Sequence, residues 1–302
     1  QNEISGRLSD IISMLLQLLE YDPYYDYSEV NMNNEDVNEY YEEEYAYIDN
    51  DANTDSSWKV RRAATKVLLS LTKAKLLTKE SYVLTNVLNK LIICIREREE
   101  NAKQEILNLI NEIGNSLFTV VNNNQTTSNI LIKMNSQDKK DNFLSKKNSS
   151  NDVNFTANFE EILQKIIVEL SKKEAKFTQS YLRIIETFSL IIPSDVLINL
   201  KSLNSILKEQ FKSNNENALS IICIFSNLSK ASKENFFLFN EHINDILSIF
   251  KLGIDHSFYK INYQTSELIF TFMNQLINAN DFDFDKAAIS NEIFNGIYIM
   301  LM

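Results

Sequence analysis

The sequence has few residues that turn the chain and few that catalyse or bind metals. It contains four Gly, two Pro, two Cys and two His among 302 residues. So few turn-forming residues exclude the many hairpins of an all-β domain, whereas helices joined by short polar loops need few. Hydrophobic residues make up 44% and charged residues 24%, which is typical of a folded chain. We therefore predict an all-α protein, long enough for two ordinary domains or one extended array.

The few residues that could carry chemistry are isolated from one another. His242, His256, Cys94 and Cys223 have no partner at metal-ligand spacing. Both cysteines lie in apolar runs, where a free buried thiol behaves as a small hydrophobic group, and so few cysteines suit a reducing compartment. No glycine-rich phosphate loop, nucleophile elbow or kinase signature occurs. We expect no catalytic residue, no cofactor and no metal, and therefore a protein that is not an enzyme.

Long apolar runs and strongly basic stretches are also lacking. The longest apolar runs fall far short of the roughly 20 residues that cross a membrane. The pairs Lys139-Lys140 and Lys146-Lys147 are too sparse to form a nucleic-acid patch. We expect a protein that binds neither membrane, nucleic acid nor a small-molecule substrate, located in the cytoplasm, the nucleus or both.

Apolar residues at helical spacing recur along most of the chain, and this pattern predicts paired helices. The predicted helices cover residues 4–19, 58–71, 82–95, 101–120, 159–170, 175–192, 195–211, 217–228, 236–252, 257–277 and 284–302. The chain begins without Met, ends inside a predicted helix and shows no terminal repeat with a polar outer face. Free ends of helical arrays need such capping repeats. We therefore expect a middle piece of a longer array.

The phrase SWKVRRAA at residues 57–64 indicates how these helices are arranged. It has the form that opens the second helix of a HEAT repeat. In that form, aliphatic and Ala positions pack against the first helix, while the basic position, here Arg61, meets an acidic loop residue between repeats. The phrase therefore predicts helix pairs stacked in series.

A basic residue at the equivalent position recurs along the chain. Lys103 follows Arg61 by 42 residues, and Lys260 follows Lys176 by twice that number, with Ala218 midway. The interval from Lys103 to Lys176 is one period plus 31 residues. Self-similarity at a fixed period is the mark of a repeat array. We predict one HEAT-repeat α-solenoid over residues 1–302, a superhelical stack of antiparallel helix pairs with a period of about 42 residues.

Two insertions interrupt the predicted array, and the first carries the acidity of the protein. Residues 20–55 hold 13 Asp or Glu and no Lys or Arg, so the rest of the chain sums to +2 against a total of −11. They also hold eight of the 13 Tyr, a residue that is common at interfaces. Residues 21–55 are read either as a tether or lid that meets a basic partner face, or as a solvated loop. The candidate partner-binding residues are Tyr40, Tyr41, Glu42, Glu43, Glu44 and Tyr45. The second insertion, residues 121–155, is Asn- and Ser-rich and is predicted to be disordered.

Four phrases in a fixed order give the chain a family resemblance. They are YDPYY at 21–25, SWKVRRAA at 57–64, REREENAK at 96–103 and FYKI at 258–261. In this order, with an acidic tract after the first, they resemble the cullin-associated, neddylation-dissociated proteins, which are long HEAT-repeat solenoids. The resemblance spans residues 21–261.

The resemblance implies a function based on shape and not on catalysis. Such a scaffold wraps an unmodified cullin and its RING subunit, covers the lysine that receives the ubiquitin-like modifier, and overlaps the adaptor site. Scaffold and adaptor then weaken each other's binding, which promotes receptor exchange on SCF-type ubiquitin ligases. The alternative is another HEAT-repeat scaffold, such as a nuclear transport receptor or a phosphatase scaffold. Such a protein would share the period but has no reason to share the four phrases.

Overall fold

The computed structural model describes residues 2–21, 56–77, 81–123, 155–172 and 176–278. Within these ranges the ordered elements are helices, and none is a strand. The prediction of an all-α protein is therefore confirmed. The helices of the described ranges are α1 (Asn2–Leu19), α2 (Ser57–Lys73), α3 (Ser81–Cys94), α4 (Glu100–Asn123), α5 (Phe155–Leu170), α6 (Thr178–Ile191), α7 (Pro193–Ile198), α8 (Leu200–Ser213), α9 (Asn215–Glu241), α10 (Ile243–Ile254) and α11 (Tyr259–Asn278).

One helix predicted from the apolar spacing is in fact two. The pattern predicts a single helix over 195–211, but the chain forms α7, which starts at Pro193, and then α8, with Asn199 between them. Asn199 donates to the carbonyl oxygen of Asp195 from its backbone N at 3.2 Å and from its side-chain amide at 2.8 Å. An Asn side chain bonded to nearby backbone competes with the helical ladder. The break therefore falls at Asn199.

The predicted gap between helices 217–228 and 236–252 is wrong. Helix α9 continues to Glu241, and the break comes at His242, immediately before α10. The polar stretch that interrupts the apolar pattern contains Lys, Ala, Ser and Glu but no Gly or Pro. Nothing in that stretch disfavours a helix strongly enough to end one.

Most of both predicted insertions lies outside the described residues, as does the predicted helix 284–302. The described ends of the second insertion are helical, because α4 continues to Asn123 and α5 already begins at Phe155. The two helices therefore extend a short way into the range 121–155, and the predicted disorder of the rest lies outside the described residues.

The described helices belong to two compact units, residues 1–109 and 110–302, and α4 runs from the first into the second. In the first unit, α1 packs against both α2 and α3. The buried residues of α1 follow one another by four, three and four positions, which places them on one helix face. The buried residues of this unit include Leu8, Ile12, Leu15, Leu19, Ala64, Leu68, Leu84, Val87, Leu88 and Leu91.

The second unit consists of two layers of helices. In one layer α8 contacts α5 and α10, and in the other α9 contacts α6 and α11. Neighbouring helices of the two layers also contact each other, as α5 with α6, α8 with α9 and α10 with α11. Edge-to-face aromatic pairs lie between them, with ring centroids 5.2 Å apart for Phe159 and Phe188 and 5.6 Å apart for Phe250 and Phe272.

The 42-residue spacing coincides with helix starts. Arg61, Lys103, Ala218 and Lys260 lie within the first five residues of α2, α4, α9 and α11, and Lys176 lies two residues before α6. The 42-residue spacing therefore agrees with the positions at which these helices begin.

Candidate partner-binding site

The predicted partner-binding residues Tyr40, Tyr41, Glu42, Glu43, Glu44 and Tyr45 lie outside the described residues. The structure does describe the two points between which this acidic segment runs. Tyr21 follows α1 on one side, and Ser56 precedes α2 on the other. The geometry of this base determines how the segment is held.

Arg61 is the centre of the base. Its guanidinium is buried and pairs with Glu97 through two hydrogen bonds, from Nε to Oε2 at 2.6 Å and from Nη2 to Oε1 at 3.0 Å. Its Nη1 donates to the carbonyl oxygen of Tyr21 at 3.0 Å and to the hydroxyl of Ser57 at 2.8 Å. One side chain thus joins the end of α1, the start of α2 and the connection between α3 and α4. We call Arg61, Glu97, Tyr21 and Ser57 the Arg61 hub.

The hub confirms one prediction and adds a contact that the sequence did not reveal. The basic position of the phrase at 57–64 does meet an acidic loop residue, and that residue is Glu97. The bond to the Tyr21 carbonyl was not predicted, because a backbone acceptor leaves no trace in residue identity. Glu97 could have been proposed from its place in the REREENAK phrase, directly before the next helix.

Glu97 also organises the start of the next helix. Its Oε1 accepts hydrogen bonds from the backbone N–H groups of Arg98 and Glu99, both at 3.0 Å. These donors lie directly before α4, where a carboxylate is favoured by the helix dipole. The Glu97 carboxylate therefore accepts hydrogen bonds from Arg61 on one side and from the backbone before α4 on the other. A buried ion needs such partners to offset its lost hydration.

The hub fixes both ends of the acidic segment at one point. Tyr21 and Ser57 bond to the same nitrogen of Arg61, so the chain leaves and re-enters the fold side by side. Lys90 of α3 adds a further ion pair with Glu20, the residue before Tyr21. The end of α1 and the start of α2 are therefore joined at the Arg61 hub by described residues alone.

The thiol of Cys94 lies close to this base. Burial, together with the carboxylates of Glu20 and Glu97, raises its pKa to about 12, although the charges of Lys90 and Arg61 oppose that rise. Burial likewise raises the pKa of Cys223 on α9 to about 11, with Glu186 of α6 contributing. Both cysteines are partly exposed as residues, and their raised pKa values agree with the prediction of unreactive thiols.

The second unit holds a polar contact of its own between its stacked helices. Asn227 of α9 donates from its side-chain amide to the carbonyl oxygen of Glu186 at 3.2 Å and to the Ser189 hydroxyl at 3.0 Å, both on α6. Burial raises the pKa of the Glu186 carboxyl, although bonds with Cys223 and Ser220 oppose that rise. Every group here has a bonding partner, which is typical of a structural contact between helices.

Among the described residues, no three His, Cys, Asp or Glu side chains come together as metal ligands. No helix in the described ranges is long and apolar enough to cross a membrane. No protein-family model matches the chain, and no curated protein matches it either.

Proposed function

We propose that this chain is a HEAT-repeat scaffold of the cullin-associated, neddylation-dissociated kind. It would bind an unmodified cullin with its RING subunit, compete with the adaptor for that surface and promote exchange of substrate receptors. The action requires no catalytic group and no cofactor. The fold supports this with contacts of α5 with α6, α8 with α9 and α10 with α11, and with helices that begin at the predicted 42-residue positions.

The observation that carries the proposal is the Arg61 hub. Two of the four phrases behind the resemblance meet there, because Arg61 belongs to SWKVRRAA and Glu97 to REREENAK. A third phrase, YDPYY, supplies the Tyr21 carbonyl. Phrases far apart in sequence therefore form one buried contact between the start of α2, the end of α1 and the connection before α4. Such a contact gives a physical reason for these phrases to occur together, in this order.

Competition between scaffold and adaptor is a coupling between two binding sites on the cullin. If the scaffold weakens adaptor binding by some factor, the adaptor weakens scaffold binding by the same factor. Each partner can therefore displace the other, and the scaffold acts as an exchange factor without being consumed. Repeat arrays in general suit this role, because their extended surfaces can contact distant parts of one partner.

The test is recovery of cullin–RING cores by the full-length protein. We expect unmodified cullin to be retained, and cullin carrying the ubiquitin-like modifier to be lost, because the modified lysine lies under the scaffold. Adding adaptor with its receptor should release the retained scaffold. Equal recovery of both forms of cullin, or of neither, would contradict the proposal and favour another kind of HEAT-repeat scaffold.

We propose that the acidic segment accelerates association with a basic partner face. Deleting residues 29–51 should leave helicity and the melting temperature unchanged, because the segment is attached through the hub and its flanking residues remain. It should lower the association rate at low salt about tenfold, and the difference should shrink as salt screens the charges. Stopped-flow association across a salt series measures this. An unchanged rate at low ionic strength would instead favour a solvated loop.

A further inference from the structure

Helix α2 carries a row of positive charges that the Arg61 hub does not use. The helix contains five basic residues and no acidic one, and Arg61 alone is buried. Lys59, Lys66 and Lys73 are exposed and follow one another at seven-residue intervals. Seven residues are nearly two full helical turns, so the three lysines lie in one line, about 10 Å apart along the helix. Arg62 lies beside this line, with its side chain 36% exposed.

The charge of this row is only partly neutralised. Glu105 of α4 lies 3.5 Å from Arg62 and 3.4 Å from Lys66, so one carboxylate serves two cations. Lys59 and Lys73 make no ion pair within the described part of the chain. The ammonium of Lys59 instead lies 5.7 Å from the ring centroid of Trp58. Exposed cations on a helix commonly have carboxylates three or four positions away, and α2 offers none.

Small residues lie next to the lysines on the same exposed face. Ala63, Ser70 and Ala74 are all exposed, and Val67 between them is 44% exposed. The Ser70 hydroxyl donates to the backbone carbonyl of Lys66 at 2.9 Å, so its hydrogen bond is made within the helix. A strip of small side chains lets another helix approach closely, while the lysines beside it extend toward that helix. We call Lys59, Arg62, Lys66 and Lys73, together with Ala63, Val67, Ser70 and Ala74, the α2 ridge.

We propose that the α2 ridge binds an acidic amphipathic helix of a partner protein. Its Asp or Glu side chains would stand at seven-residue intervals opposite Lys59, Lys66 and Lys73, and its small or aliphatic residues would pack on Ala63, Val67 and Ala74. The partner helix would therefore match the ridge both in the sign of its charges and in their seven-residue spacing. Flanking charges select the partner in the same way in coiled coils. This surface does not depend on the cullin assignment.

A helix fits the ridge better than a nucleic acid does. The charges run along a single straight helix, and the Glu105 carboxylate beside them would repel a phosphate backbone. Nucleic-acid sites spread Lys and Arg over a wider surface and leave them free of carboxylates. An acidic helix brings only one carboxylate opposite Lys66, where it shares that cation with Glu105. Its other carboxylates meet Lys59 and Lys73, about 10 Å away along α2.

The experiment uses the full chain and two synthetic helical peptides as probes. Both have the same composition, but one has Glu at every seventh position and the other has the same Glu residues out of that register. Fluorescence anisotropy should show the first binding about tenfold tighter than the second. Replacing the three lysines (Lys59→Glu, Lys66→Glu, Lys73→Glu) should weaken binding of the first at least about thirtyfold, since several close charge pairs become repulsive.

A matched variant controls for net charge. Lys201, Lys212 and Lys251 are exposed lysines of the second unit, and changing all three to Glu alters total charge equally. This control should bind the peptide within about twofold of the unchanged chain, because the three lysines do not belong to the α2 ridge. Lys→Gln changes at the three ridge positions should give an intermediate loss, and circular dichroism should show every variant to be folded.

Three results would overturn the proposal. Equal affinity for both peptides would mean that the ridge attracts acidic peptides by net charge alone and does not select the spacing of their Glu residues. Displacement of the matched peptide by a duplex oligonucleotide at lower concentration and equal salt would assign the ridge to nucleic acid. At least tenfold tighter peptide binding after deletion of residues 29–51 would make the chain's own acidic segment the occupant.

Discussion

Removing the Arg61 guanidinium should destabilise the first unit far more than an ordinary surface substitution does. In Arg61→Met the Glu97 carboxylate, only 7% exposed, would keep its charge and lose both bonds to the cation. The Tyr21 carbonyl and the Ser57 hydroxyl would lose their donor as well. Breaking a buried ion pair from one side costs about 3–5 kcal/mol. That is a large part of the stability of a domain this size.

The neighbouring arginine is the natural control. Arg62 has the same chemistry and lies one position along α2, but its nearest carboxylate, Glu105, is 3.5 Å away and its side chain is 36% exposed. Ion pairs at such exposed sites contribute about 0–1 kcal/mol. Arg62→Met should therefore cost less than about 1 kcal/mol. Arg61→Met combined with Glu97→Gln should cost less than the sum of the single changes, because no buried charge is then left unpaired.

The two cysteines report this effect without added labels. Cys94 lies near the hub in the first unit, and Cys223 lies in the second. Alkylation of a protected thiol follows local opening, and each 1.4 kcal/mol changes an equilibrium tenfold. Arg61→Met should therefore speed alkylation of Cys94 about hundredfold, while Cys223 changes less than about twofold. The Arg61 charge lowers the Cys94 pKa, so its loss would slow the thiol chemistry and cannot cause the acceleration.

Similar behaviour of the two arginine variants would contradict this role of Arg61. Equal unfolding free energies for Arg61→Met and Arg62→Met in urea would mean that the hub does not hold the unit together. Equal acceleration at Cys94 and Cys223 would mean that the effect is global and does not belong to the base of the acidic segment.

Three further predictions concern packing and ionisation. A Cβ on Gly253 would lie 2.7 Å from Cγ2 and 2.9 Å from Cβ of the buried Thr265, so Gly253→Ala should destabilise the second unit by about 2–3 kcal/mol in thermal unfolding; a stability gain would contradict this packing of α10 on α11. Because burial raises their pKa values to about 12 and about 11, Cys94 and Cys223 should form far less thiolate at pH 8 than a free thiol, with Cys94 about tenfold below Cys223. Mass spectrometry after brief alkylation checks this, and labelling of Cys94 at the free-thiol rate would contradict it. Burial also raises the pKa of Glu186, so its ionised form disfavours the folded state, and stability from this group falls as pH rises through the carboxyl range. The Glu186→Gln variant should therefore exceed the unchanged chain in unfolding free energy by more at pH 7 than at pH 4. The same difference at both pH values would contradict this effect of Glu186.

The sequence determined the helical class and much of the helix order. Few Gly and Pro and a persistent apolar spacing leave helices as the regular structure, and the spacing of Leu8, Ile12, Leu15 and Leu19 alone places α1 against a core. The helix starts near Arg61 and Lys103 also followed from the 42-residue spacing. These features are local or periodic, so residue identity is enough to reveal them.

Tertiary structure decided the features that depend on contacts between distant residues. Pattern alone could not place the break at Asn199, because that break rests on a side-chain bond to the backbone. It could not show that α9 continues through a polar stretch, because a stretch without Gly or Pro is compatible with either a helix or a loop. The Arg61 phrase predicted an acidic partner, but only the fold brings Glu97 and the Tyr21 carbonyl to one guanidinium. Sequence records which groups can ionise or pair, whereas burial and distance determine which of them do.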